Sequence, residues 1–569
     1  MKKITLLAIL LPALLFSQTF EEVETDFKDF LFSSIDVADI NGNGNMDIVF
    51  SGALIEDGSY ITQNEFYVNT GDSFELSHNF EEFSVHEGAI RFIDFNNDGL
   101  MDIVSTGLSY LDIVNYKQYR WENDGNNFVK TDETVGRVYG NIEVFDMNHN
   151  GFQDYAVNGI QYNEGVGYEH AVDYFENTGD GFETHLEWLP GTQFGNFQIV
   201  DLNNNGELDA VAIGLDPNIN PVFHVYINNE GTLELTHEFP GVSKGEVKYA
   251  DFNADGFQDL IYSGNDANNN GYLAVYFNNG EGGFDEILEI ENEGLKDSSV
   301  AVGDFNNDGY YDFVIVGNYS SGGTQSRTKL FVYDPDTNSF TKVEDTGLYN
   351  IGSGGDVQAF DYNNDNKLDI VMTGFDWGTG GSPQLTKLFK NLSTETNEKP
   401  NPPTDLVLEE EGNRLNFSWS GATDDKTPTE ALRYELTVGT TSGGQDIARY
   451  VVTTPFWYLD LNEIPSALYW SVKSIDASYV YSDASEEQTL SISDITLSNI
   501  AIYPNPATDL VTIQGDEPIE SVVIYTLNGE QIGGKFNGHT IDVSHLSSGV
   551  YLIKIATNDK TTTRKLLVK

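Results

Sequence analysis

Short apolar runs alternate with polar, glycine-rich turns along most of the chain. In a representative stretch, Ile90 to Phe95 leads into a polar loop, Ile103 to Thr106 leaves it, and Tyr119 to Glu122 continues through Asn-Asp-Gly into Phe128. Runs of this length are typical of strands, and Asn-Gly or Thr-Gly pairs between alternating apolar runs are typical of hairpins. The pattern predicts units of four short antiparallel strands.

The polar loop between the first two strands of a unit occurs seven times. Its copies begin at Asp39, Asp94, Asp146, Asp201, Asp251, Asp304 and Asp361. Successive copies start 50 to 57 residues apart, and each reads D-x-N-x-[DN]-[GN]-x-x-D. Four strands repeated seven times predict a seven-bladed β-propeller. With the two segments that follow it, the predicted fold class is all-β: a seven-bladed β-propeller followed by two small β-sandwich domains.

The two ends of the repeated region complement each other. The segment Phe20 to Phe32 looks like the end of a unit that lacks its beginning, and the seventh unit stops after its third strand, near Leu388 to Asn391. An open propeller would leave unpaired sheet edges. We therefore expect the N-terminal segment to supply the missing outer strand.

Each polar loop spaces its oxygen-bearing side chains as a cation site does. Positions 1, 3 and 5 of a tight loop point inward together, glycine at position 6 permits a left-handed turn, and aspartate at position 9 closes the cage. Ca²⁺ tolerates such irregular oxygen cages, whereas Mg²⁺ demands a stricter octahedron. An Asx-rich turn that binds nothing is the alternative. We expect up to seven Ca²⁺ ions with a mainly structural role.

The predicted ligands occupy positions 1, 3, 5 and 9 of each loop. They are Asp39, Asn41, Asn43, Asp47, Asp94, Asn96, Asp98, Asp102, Asp146, Asn148, Asn150, Asp154, Asp201, Asn203, Asn205, Asp209, Asp251, Asn253, Asp255, Asp259, Asp304, Asn306, Asp308, Asp312, Asp361, Asn363, Asp365 and Asp369.

The seven loops are not equivalent. Position 5 is aspartate in four of them but asparagine at Asn43, Asn150 and Asn205. Fewer carboxylates predict weaker cation binding at those three loops. The seventh loop has Asn366 where the others have glycine at position 6. Asparagine tolerates the left-handed conformation, so this loop is expected to be strained but retained.

The seven motifs, such as Asp304 to Phe313, resemble FG-GAP or VCBS repeats like those of integrin α-subunit propellers. The resemblance covers roughly residues 20–395, within a propeller domain predicted at 18–395, and implies a calcium-stabilised propeller used for adhesion or ligand binding, sometimes appended to enzymes. Where asparagine replaces the more acidic residue of the family, at Asn43, Asn150 and Asn205, full occupancy is in question.

The unit topology predicts a ligand face. In an up-and-down unit, the cation loops share one end with the short third-to-fourth turns, and the second-to-third loops gather at the other end. Those loops are predicted at 53–63, 108–118, 160–170, 215–222, 265–272, 318–328 and 375–385. Aromatic rings among amides and hydroxyls suit sugars or protein partners. The candidate ligand-binding residues are Tyr60, Tyr116, Tyr168 and Trp377; loop aromatics that merely cover sheet edges are the alternative.

A polar, proline-bearing linker at 396–403 leads into a second region at 404–494. This region contains short alternating strands, and a tryptophan of the kind found in sandwich cores stands at Trp419. Together with Tyr434 and the run from Tyr469 to Asp476, it loosely resembles a fibronectin type III domain. The resemblance implies a spacer or adhesion module.

The last region, 495–569, carries more specific motifs. Tyr503-Pro-Asn-Pro506, Val522 to Gly529 and Ile541 to Lys554 appear in this order before a basic end. They closely resemble the C-terminal sorting domain of the type IX secretion system of Bacteroidota. The resemblance implies an interaction with that secretion machinery, translocation across the outer membrane and removal of this domain, followed by release or surface attachment. Another adhesive β-domain is the alternative.

The N-terminus has the layout of a secretory signal peptide. Lys2 and Lys3 precede an apolar run from Ile4 to Phe16, and small Ser17 follows, so residues 1–17 are expected to be removed. Thirteen apolar residues are too few to span a bilayer as a helix, and no later segment is long and apolar enough. The mature protein is expected to be secreted or at the cell surface, with no transmembrane segment.

Charge and composition exclude several classes of function. The chain has 29 basic and 90 acidic residues, a formal net charge of −61 and no cysteine. Such a polyanion repels nucleic acid, and disulfides, thiolate metal sites and a cysteine nucleophile are excluded. The nine histidines form no H-E-x-x-H motif, and neither a G-x-S-x-G elbow nor a P-loop is present.

These observations predict a non-catalytic, calcium-binding surface or secreted protein that binds glycans or surface partners in adhesion. Two alternatives stay open. One is a polysaccharide lyase or hydrolase that uses the face opposite the calcium loops, because the numerous carboxylates of the chain offer candidates for a catalytic pair. The other is a purely structural component of the cell surface.

Overall fold

The computed structural model describes the chain with several gaps. The described residues are 20–56, 59–71, 73–80, 83–109, 116–125, 127–163, 165, 167–229, 231–319, 326–352, 354–376, 384–491, 501–514, 518–526, 531–532, 536–547, 549–557 and 561–569. The predicted signal peptide and Trp377 lie outside them. The described chain forms two compact units: the first ends at Gln488, and the second comprises 489–569 with Pro465–Leu468.

Strands dominate both units. Within the described ranges, the helical structure is limited to short 3₁₀ turns such as Thr429–Ala431. No helix in this part of the chain is long and apolar enough to cross a membrane. The all-β prediction is therefore confirmed.

The repeated region folds into seven four-stranded antiparallel sheets, numbered here in chain order. The first three contain β2 (Leu31–Ala38), β3 (Asp47–Glu56), β4 (Ser59–Asn69) and β5 (Phe74–Asn79); β6 (His86–Ile93), β7 (Asp102–Leu108), β8 (Tyr116–Asn123) and β9 (Phe128–Val135); β10 (Ile142–Phe145), β11 (Asp154–Asn163), β12 (Gly167–Asn177) and β13 (Phe182–Pro190).

The next three sheets contain β14 (Gln193–Val200), β15 (Asp209–Leu215), β16 (Pro221–Asn229) and β17 (Thr232–Pro240); β18 (Ser243–Ala250), β19 (Asp259–Asn265), β20 (Gly271–Asn278) and β21 (Phe284–Glu289); β22 (Lys296–Gly303), β23 (Asp312–Asn318), β24 (Ser326–Asp334) and β25 (Ser339–Val343). In each sheet the strands are neighbours in chain order.

The seventh sheet is completed from the other end of the repeated region. It contains β26 (Val357–Phe360), β27 (Asp369–Phe375) and β28 (Gln384–Asn391), and its fourth strand is β1 (Phe20–Val23). Phe20 pairs with Asn391 in an antiparallel register. The N-terminal segment therefore supplies the outer strand that the seventh unit lacks, as predicted from the sequence.

Successive sheets pack face to face through apolar cores, which follow from the alternation of apolar residues along the strands. Phe66 and Ile90 share the core of the first and second sheets. The last core joins Phe50 of the first sheet to Val371 of the seventh. The packing thus runs from each sheet to the next and returns to the first.

Side chains in or just before the first strands also link neighbouring sheets, by accepting hydrogen bonds from backbone N–H groups. The N–H of Phe197 donates to Asn141 Oδ1 at 2.9 Å, and the N–H of Val300 donates to Glu246 Oε2 at 2.8 Å. The N–H of Ile35, in the first sheet, donates to Asp356 Oδ2 of the seventh at 2.8 Å. Each acceptor lies five residues before a loop aspartate, so the same repeat position links neighbouring sheets.

The remainder of the first unit contains two further groups of strands. In one, β30 (Arg414–Ser420) lies between β29 (Thr404–Glu411) and β33 (Phe456–Asp460). In the other, β31 (Arg433–Gly439) lies between β32 (Ala448–Val452) and β34 (Ala467–Ile475). β35 (Gln488–Ser491) follows them. Phe417 and Trp470 meet edge to face, 5.0 Å apart, in their core. We call residues 404–488 the middle module.

The second unit consists of two four-stranded sheets around one core, which includes Val511, Ile524 and Ile553. Their strands are β36 (Ala501–Tyr503), β37 (Leu510–Gln514), β40 (Phe536–Asn537) and β41 (Thr540–Asp542); β38 (Ile519–Thr526), β39 (Gln531–Ile532), β42 (Gly549–Thr557) and β43 (Thr561–Val568).

Candidate metal centres and the opposite face

The seven polar loops connect the first and second strands of the seven sheets and share one backbone conformation. Position 6 is left-handed in every loop, including Asn366 with φ of 61°. Asparagine therefore takes the conformation that the sequence led us to expect there. Position 4 is left-handed as well, at Gly42, Asn97, His149, Asn204, Ala254, Asn307 and Asn364. The ligand pattern, which uses positions 1, 3, 5 and 9, did not predict this requirement.

The aspartate at position 1 holds each loop by its backbone. Asp304 is representative: its Oδ1 accepts the N–H of Asp308 at 3.2 Å and its Oδ2 accepts the N–H of Gly309 at 2.7 Å. The same two bonds recur in the other six loops. Position 1 thus fixes the turn that brings positions 3 and 5 beside it.

The aspartate at position 9 is fully buried in every loop and joins three segments. Asp312 Oδ2 accepts the N–H of Phe305 at position 2, and its Oδ1 accepts the N–H of Tyr333 on the third strand at 2.9 Å. Equivalent pairs of bonds recur in the other loops. This residue therefore ties the loop to its sheet.

An asparagine at the end of the third strand completes the arrangement. It stands at Asn69, Asn123, Asn177, Asn228, Asn278 and Asn391, with Tyr333 in the sixth unit. Asn391 Nδ2 donates to Leu368 O in its own loop and to Phe305 O in the preceding one. The sequence predicted hairpin turns at these positions, but it did not predict that the asparagines link neighbouring loops.

The carboxylates within each loop lie close enough to disfavour one another's charge. Burial and the neighbouring aspartates of the same loop raise the pKa of Asp102 to about 8 and that of Asp154 to about 8. The same causes hold the pKa of Asp312 well above its usual range. Such a cluster favours a bound cation, and its carboxylate and amide oxygens are ligands that suit Ca²⁺. The residues present therefore fit the ion that the sequence suggests.

The seventh loop differs in its electrostatics. Lys390 Nζ lies 3.0 Å from Asp365 Oδ2, at position 5. In the second, fifth and sixth loops, the position-5 carboxylate instead accepts a hydrogen bond from the asparagine at position 3. A lysine beside position 5 supplies part of the positive charge that a cation would provide.

The middle module packs directly against these loops. Tyr450 O–H donates to Asp146 Oδ2 at 2.5 Å, and Asn97 Nδ2 donates to Ile447 O at 2.9 Å. The N–H of Asp304 donates to Ala477 O at 2.9 Å. The segment before the module is also engaged, since Asn366 Nδ2 donates to Asn397 O at 3.1 Å. The module therefore covers several loops.

His149, at position 4 of the third loop, belongs to this interface. Its ring stacks on Tyr458 with centroids 3.9 Å apart, and its carbonyl oxygen accepts the N–H of Asp460 at 2.7 Å. Burial lowers the pKa of His149 to about 3, which keeps the imidazole neutral. Its role in the structure is packing.

Charged side chains lie on the first strands, three residues before the loop aspartates. Arg91 Nη1 donates to Ser34 Oγ at 2.9 Å, and Gln198 Nε2 donates to Glu143 Oε1 at 2.7 Å. Burial raises the pKa of Glu143 to about 7, although nearby Arg91 and Lys248 act in the opposite direction. The interior between the first strands is therefore polar and contains both acidic and basic side chains.

Glu176, Glu183 and His185 form another group with metal-ligand chemistry, which the sequence analysis did not identify. Their ligand atoms lie within 4.8 Å of one another. His185 Nε2 is 2.9 Å from Glu176 Oε2, and both Glu183 and His185 are exposed.

The other end of the sheets carries the predicted aromatic residues. Tyr60 and Tyr168 are 45% and 63% exposed, and Tyr116 is half-buried. The Tyr162 and Tyr168 rings meet at 5.4 Å. Two of the predicted loops, 53–63 and 160–170, are instead long hairpin arms of β3–β4 and β11–β12. Tyr60, Tyr162 and Tyr168 therefore stand on strands, whose pairing holds them more firmly than a loop would.

Two family models match parts of the chain. An FG-GAP-like repeat matches residues 39–105, 251–315 and 304–372, and a secretion system C-terminal sorting domain matches residues 501–569. The chain thus contains three FG-GAP-like repeats and a type IX secretion sorting domain. The sorting domain implies an interaction with the secretion machinery and indicates secretion to the cell surface or the extracellular space.

More distant similarities were found among solved structures. Sqt1 from Chaetomium thermophilum is 12% identical, with a TM-score of 0.39 over 70% of this chain and 97% of that one. The NanB sialidase from Streptococcus pneumoniae is 11% identical, with a TM-score of 0.32 over 66% of this chain and 70% of that one. Neither is close enough to carry an argument. No curated protein matches the chain.

Proposed function

We propose that this protein is a non-catalytic binding protein of the cell surface or the extracellular space, built on a calcium-stabilised, seven-bladed propeller over residues 18–395. Seven four-stranded sheets, each with the same loop and each packed on the next, support this architecture. The fibronectin type III-like module at 404–494 follows, after the segment 396–403. The sorting domain at 495–569 directs export and is then removed.

Calcium has a structural role in this proposal. Every loop draws its ligands from one segment, and the middle module covers part of the loop end, so the ions have little surface left for a substrate. Up to seven Ca²⁺ ions would neutralise the clustered carboxylates and hold the first and second strands of each sheet together. Asn43, Asn150 and Asn205 make their loops the weaker sites.

The single observation that carries the binding role is the unequal covering of the two ends of the sheets. Hydrogen bonds with Tyr450, which donates, and with the carbonyl oxygens of Ile447 and Ala477, which accept, occupy the loop end. The opposite end exposes Tyr60 and Tyr168. Exposed tyrosines offer apolar area with a polar handle, which suits glycans or surface proteins. We assign ligand capture to this opposite face.

The proposal is tested by capture experiments with the protein from which residues 1–17 are absent. A glycan array and an extract of cell-surface proteins are probed with the wild type and with a triple variant, Tyr60→Ala, Tyr116→Ala and Tyr168→Ala. We expect the triple variant to bind at least tenfold more weakly, while its unfolding temperature stays within about 3 °C of the wild type.

Leu186→Ala is the matched control, because Leu186 is 69% exposed on the outer strand β13, away from the proposed face. The proposal is contradicted if the wild type captures nothing from the glycan array or from the surface-protein extract. It is also contradicted if the triple variant captures as much as the wild type. New reducing ends or unsaturated uronates in the glycan samples would show an enzyme instead.

A further inference from the structure

At the end opposite the loops, the chain adopts the same unusual backbone conformation at or just before the first strand of every sheet. Seven residues before each loop aspartate, the backbone is left-handed, with φ between 47° and 72°. In five sheets the pairing register of the first two strands shifts across this point. We call these seven residues the bulge ring: Phe32, Glu87, Tyr139, Phe194, Lys244, Asp297 and Gly354.

Steric crowding explains why glycine often follows a residue of the bulge ring, but it does not explain which residues form the bulge ring. The next residue is glycine in five sheets, and a Cβ on Gly88 or Gly195 would lie 1.9 Å from a backbone oxygen of the second strand. Glycine is also the least strained choice for the left-handed residue before it. Only Gly354 follows that choice, whereas the other six positions carry large aromatic or charged side chains. Strained backbone that carries large polar and aromatic groups points to function.

The side chains of the bulge ring form a continuous arc. The N–H of Tyr139 donates to the carbonyl oxygen of Glu87 at 2.8 Å, and the Tyr139 and Phe194 rings meet at 4.4 Å. Lys244 Nζ lies 5.4 Å from the Phe194 ring centroid and 3.4 Å from Asp297 Oδ1. Glu87, Tyr139, Phe194 and Asp297 are only partly buried, and Lys244 is exposed. Five neighbouring sheets thus contribute one surface.

The arc continues into the tyrosine face. Burial and nearby Glu87 raise the pKa of Tyr139, and Tyr116 and Tyr168 on neighbouring hairpins act on it in the same direction. Tyr168 is 63% exposed beside the arc. Aromatic rings, carboxylates and an amine therefore lie together on the end of the sheets that the middle module leaves uncovered.

This chemistry matches a sugar. A pyranose ring stacks its C–H face on an aromatic ring, carboxylates accept hydrogen bonds from its hydroxyl groups, and an ammonium donates to its oxygens. Glu87 and Asp297 outnumber Lys244, and the whole chain has a net charge of −61. Sulfated or uronate-rich chains would be repelled, so an uncharged sugar fits best.

We propose that the bulge ring, centred on the Tyr139–Phe194 pair, binds a neutral sugar residue of a glycan. This inference rests on the proposed binding function and specifies its location and its ligand class. Tyr139 and Phe194 stack on the sugar ring, Glu87 and Asp297 accept hydrogen bonds from its hydroxyl groups, and Lys244 donates to a sugar oxygen.

The test uses the left-handed backbone itself. Tyr139→Gly and Phe194→Gly remove the ring yet suit the backbone better than the native residue, so both variants should fold with an unfolding temperature within about 3 °C of the wild type. Binding is measured by gel retardation with soluble β-glucan, mannan and xylan as neutral probes, and with alginate and chondroitin sulfate as anionic probes.

The matched control is Ile219→Gly. Ile219 is also left-handed, with φ of 65°, is 72% exposed, and lies in the β15–β16 connection at the same end of the sheets. We expect retardation of the wild type and of this control by at least one neutral probe. Tyr139→Gly and Phe194→Gly should each lose at least tenfold in affinity.

Three results would overturn the inference. If only the anionic probes retard the wild type, the ligand is not a neutral sugar. Wild-type affinity in both glycine variants would exclude the location, while the binding function itself would stand. Absence of retardation by all five probes would exclude neutral glycans, and the proposed function would fail only if the array and the surface-protein extract were negative too. If Tyr139→Gly does not fold, the affinities of Phe194→Gly and Lys244→Gly for the neutral probes test the location instead.

Discussion

The two ends of the seven sheets both depend on left-handed backbone, but they fill it with different residues. At the loop end, positions 4 and 6 are almost entirely glycine and asparagine, the residues that adopt this conformation at least cost. At the opposite end, the bulge ring puts phenylalanine, tyrosine, glutamate, lysine and aspartate in the same conformation. The loop end is therefore relaxed, and the opposite end carries strain.

The two ends also differ in how far other parts of the chain cover them. At the loop end, the carboxylates hold backbone amides, the third-strand asparagines link neighbouring loops, and the middle module packs over several of them. At the opposite end, Tyr168 and Lys244 are exposed. Under the proposed function, the loop end stabilises the fold and the opposite end is kept for binding, at some expense in stability.

Removal of calcium should have the largest effect, because it acts on every loop together. A site at a hundredfold excess of ion over its dissociation constant contributes about 2.7 kcal/mol, so several sites should shift the unfolding temperature by about 10 °C or more. Differential scanning fluorimetry with calcium and with chelator measures this. Added Ca²⁺ should restore the transition, and Mg²⁺ should not. An unchanged transition in chelator would end the assignment of stability to bound ions.

Asp312→Ala should be the most damaging single substitution among these tests. It leaves the buried N–H groups of Phe305 and Tyr333 without their acceptor, which should cost about 3 kcal/mol or more in denaturant unfolding. Asp312→Asn retains one acceptor oxygen and should cost less. Asp336→Ala, in an exposed turn, is the control and should change stability by less than about 0.5 kcal/mol. Equal losses in Asp312→Ala and the control would contradict a stabilising loop end.

Tyr450→Phe should loosen the cover over the loops. The hydroxyl donates to a buried carboxylate, and hydrogen bonds of this kind contribute about 1.5–3 kcal/mol. We expect a lower unfolding temperature and faster proteolysis at 396–403. Val451→Ala, at an exposed neighbouring position, is the control. If Tyr450→Phe is cleaved at the wild-type rate, the module does not depend on this contact for its docking.

Glu143→Gln should give the smallest effect, in the pH dependence of stability. The pKa of Glu143 in the folded chain is about 7, above its ordinary value of 4.5. The folded state therefore favours the protonated acid, so this group's contribution to stability falls as pH rises from about 4.5 to 7 and is constant above that.

Unfolding at saturating calcium, compared between pH 5 and pH 8, should show a wild-type loss from this group of about 1–2 kcal/mol, allowing for its partial solvent contact. Glu143→Gln should lack that loss, whereas Glu183→Gln, at an exposed site, should behave like the wild type. Identical profiles for the two variants would show that the polar interior does not favour the protonated acid.

Some features of the site were accessible from the sequence because they lie within one short segment. The regular spacing of Asp304, Asn306, Asp308 and Asp312 identified the loop, and Asn366 was assigned a left-handed turn from its place in the motif. The strand alternation likewise predicted the four strands of a unit, and the short seventh unit predicted the pairing of β1 with β28.

Other features depend on partners far away in the chain. Asn391 holds a carbonyl oxygen 86 residues before it, and Asp356 accepts an N–H from Ile35, 321 residues away. His149 lies at position 4 of the third loop, and its packing against Tyr458 could not be predicted from the loop alone. The bulge ring has no local motif, because its seven residues share a backbone conformation and not a side chain.

The sequence by itself determined the strand pattern, the repeat and the spacing of oxygen-bearing side chains in the loops, because a period and a residue spacing are local properties of the chain. The tertiary structure alone decided which end of the sheets is covered and which side chains meet at the other end. Both features depend on distances between residues that are remote in sequence. The antiparallel pairing of four strands, repeated through seven sheets, sets those distances.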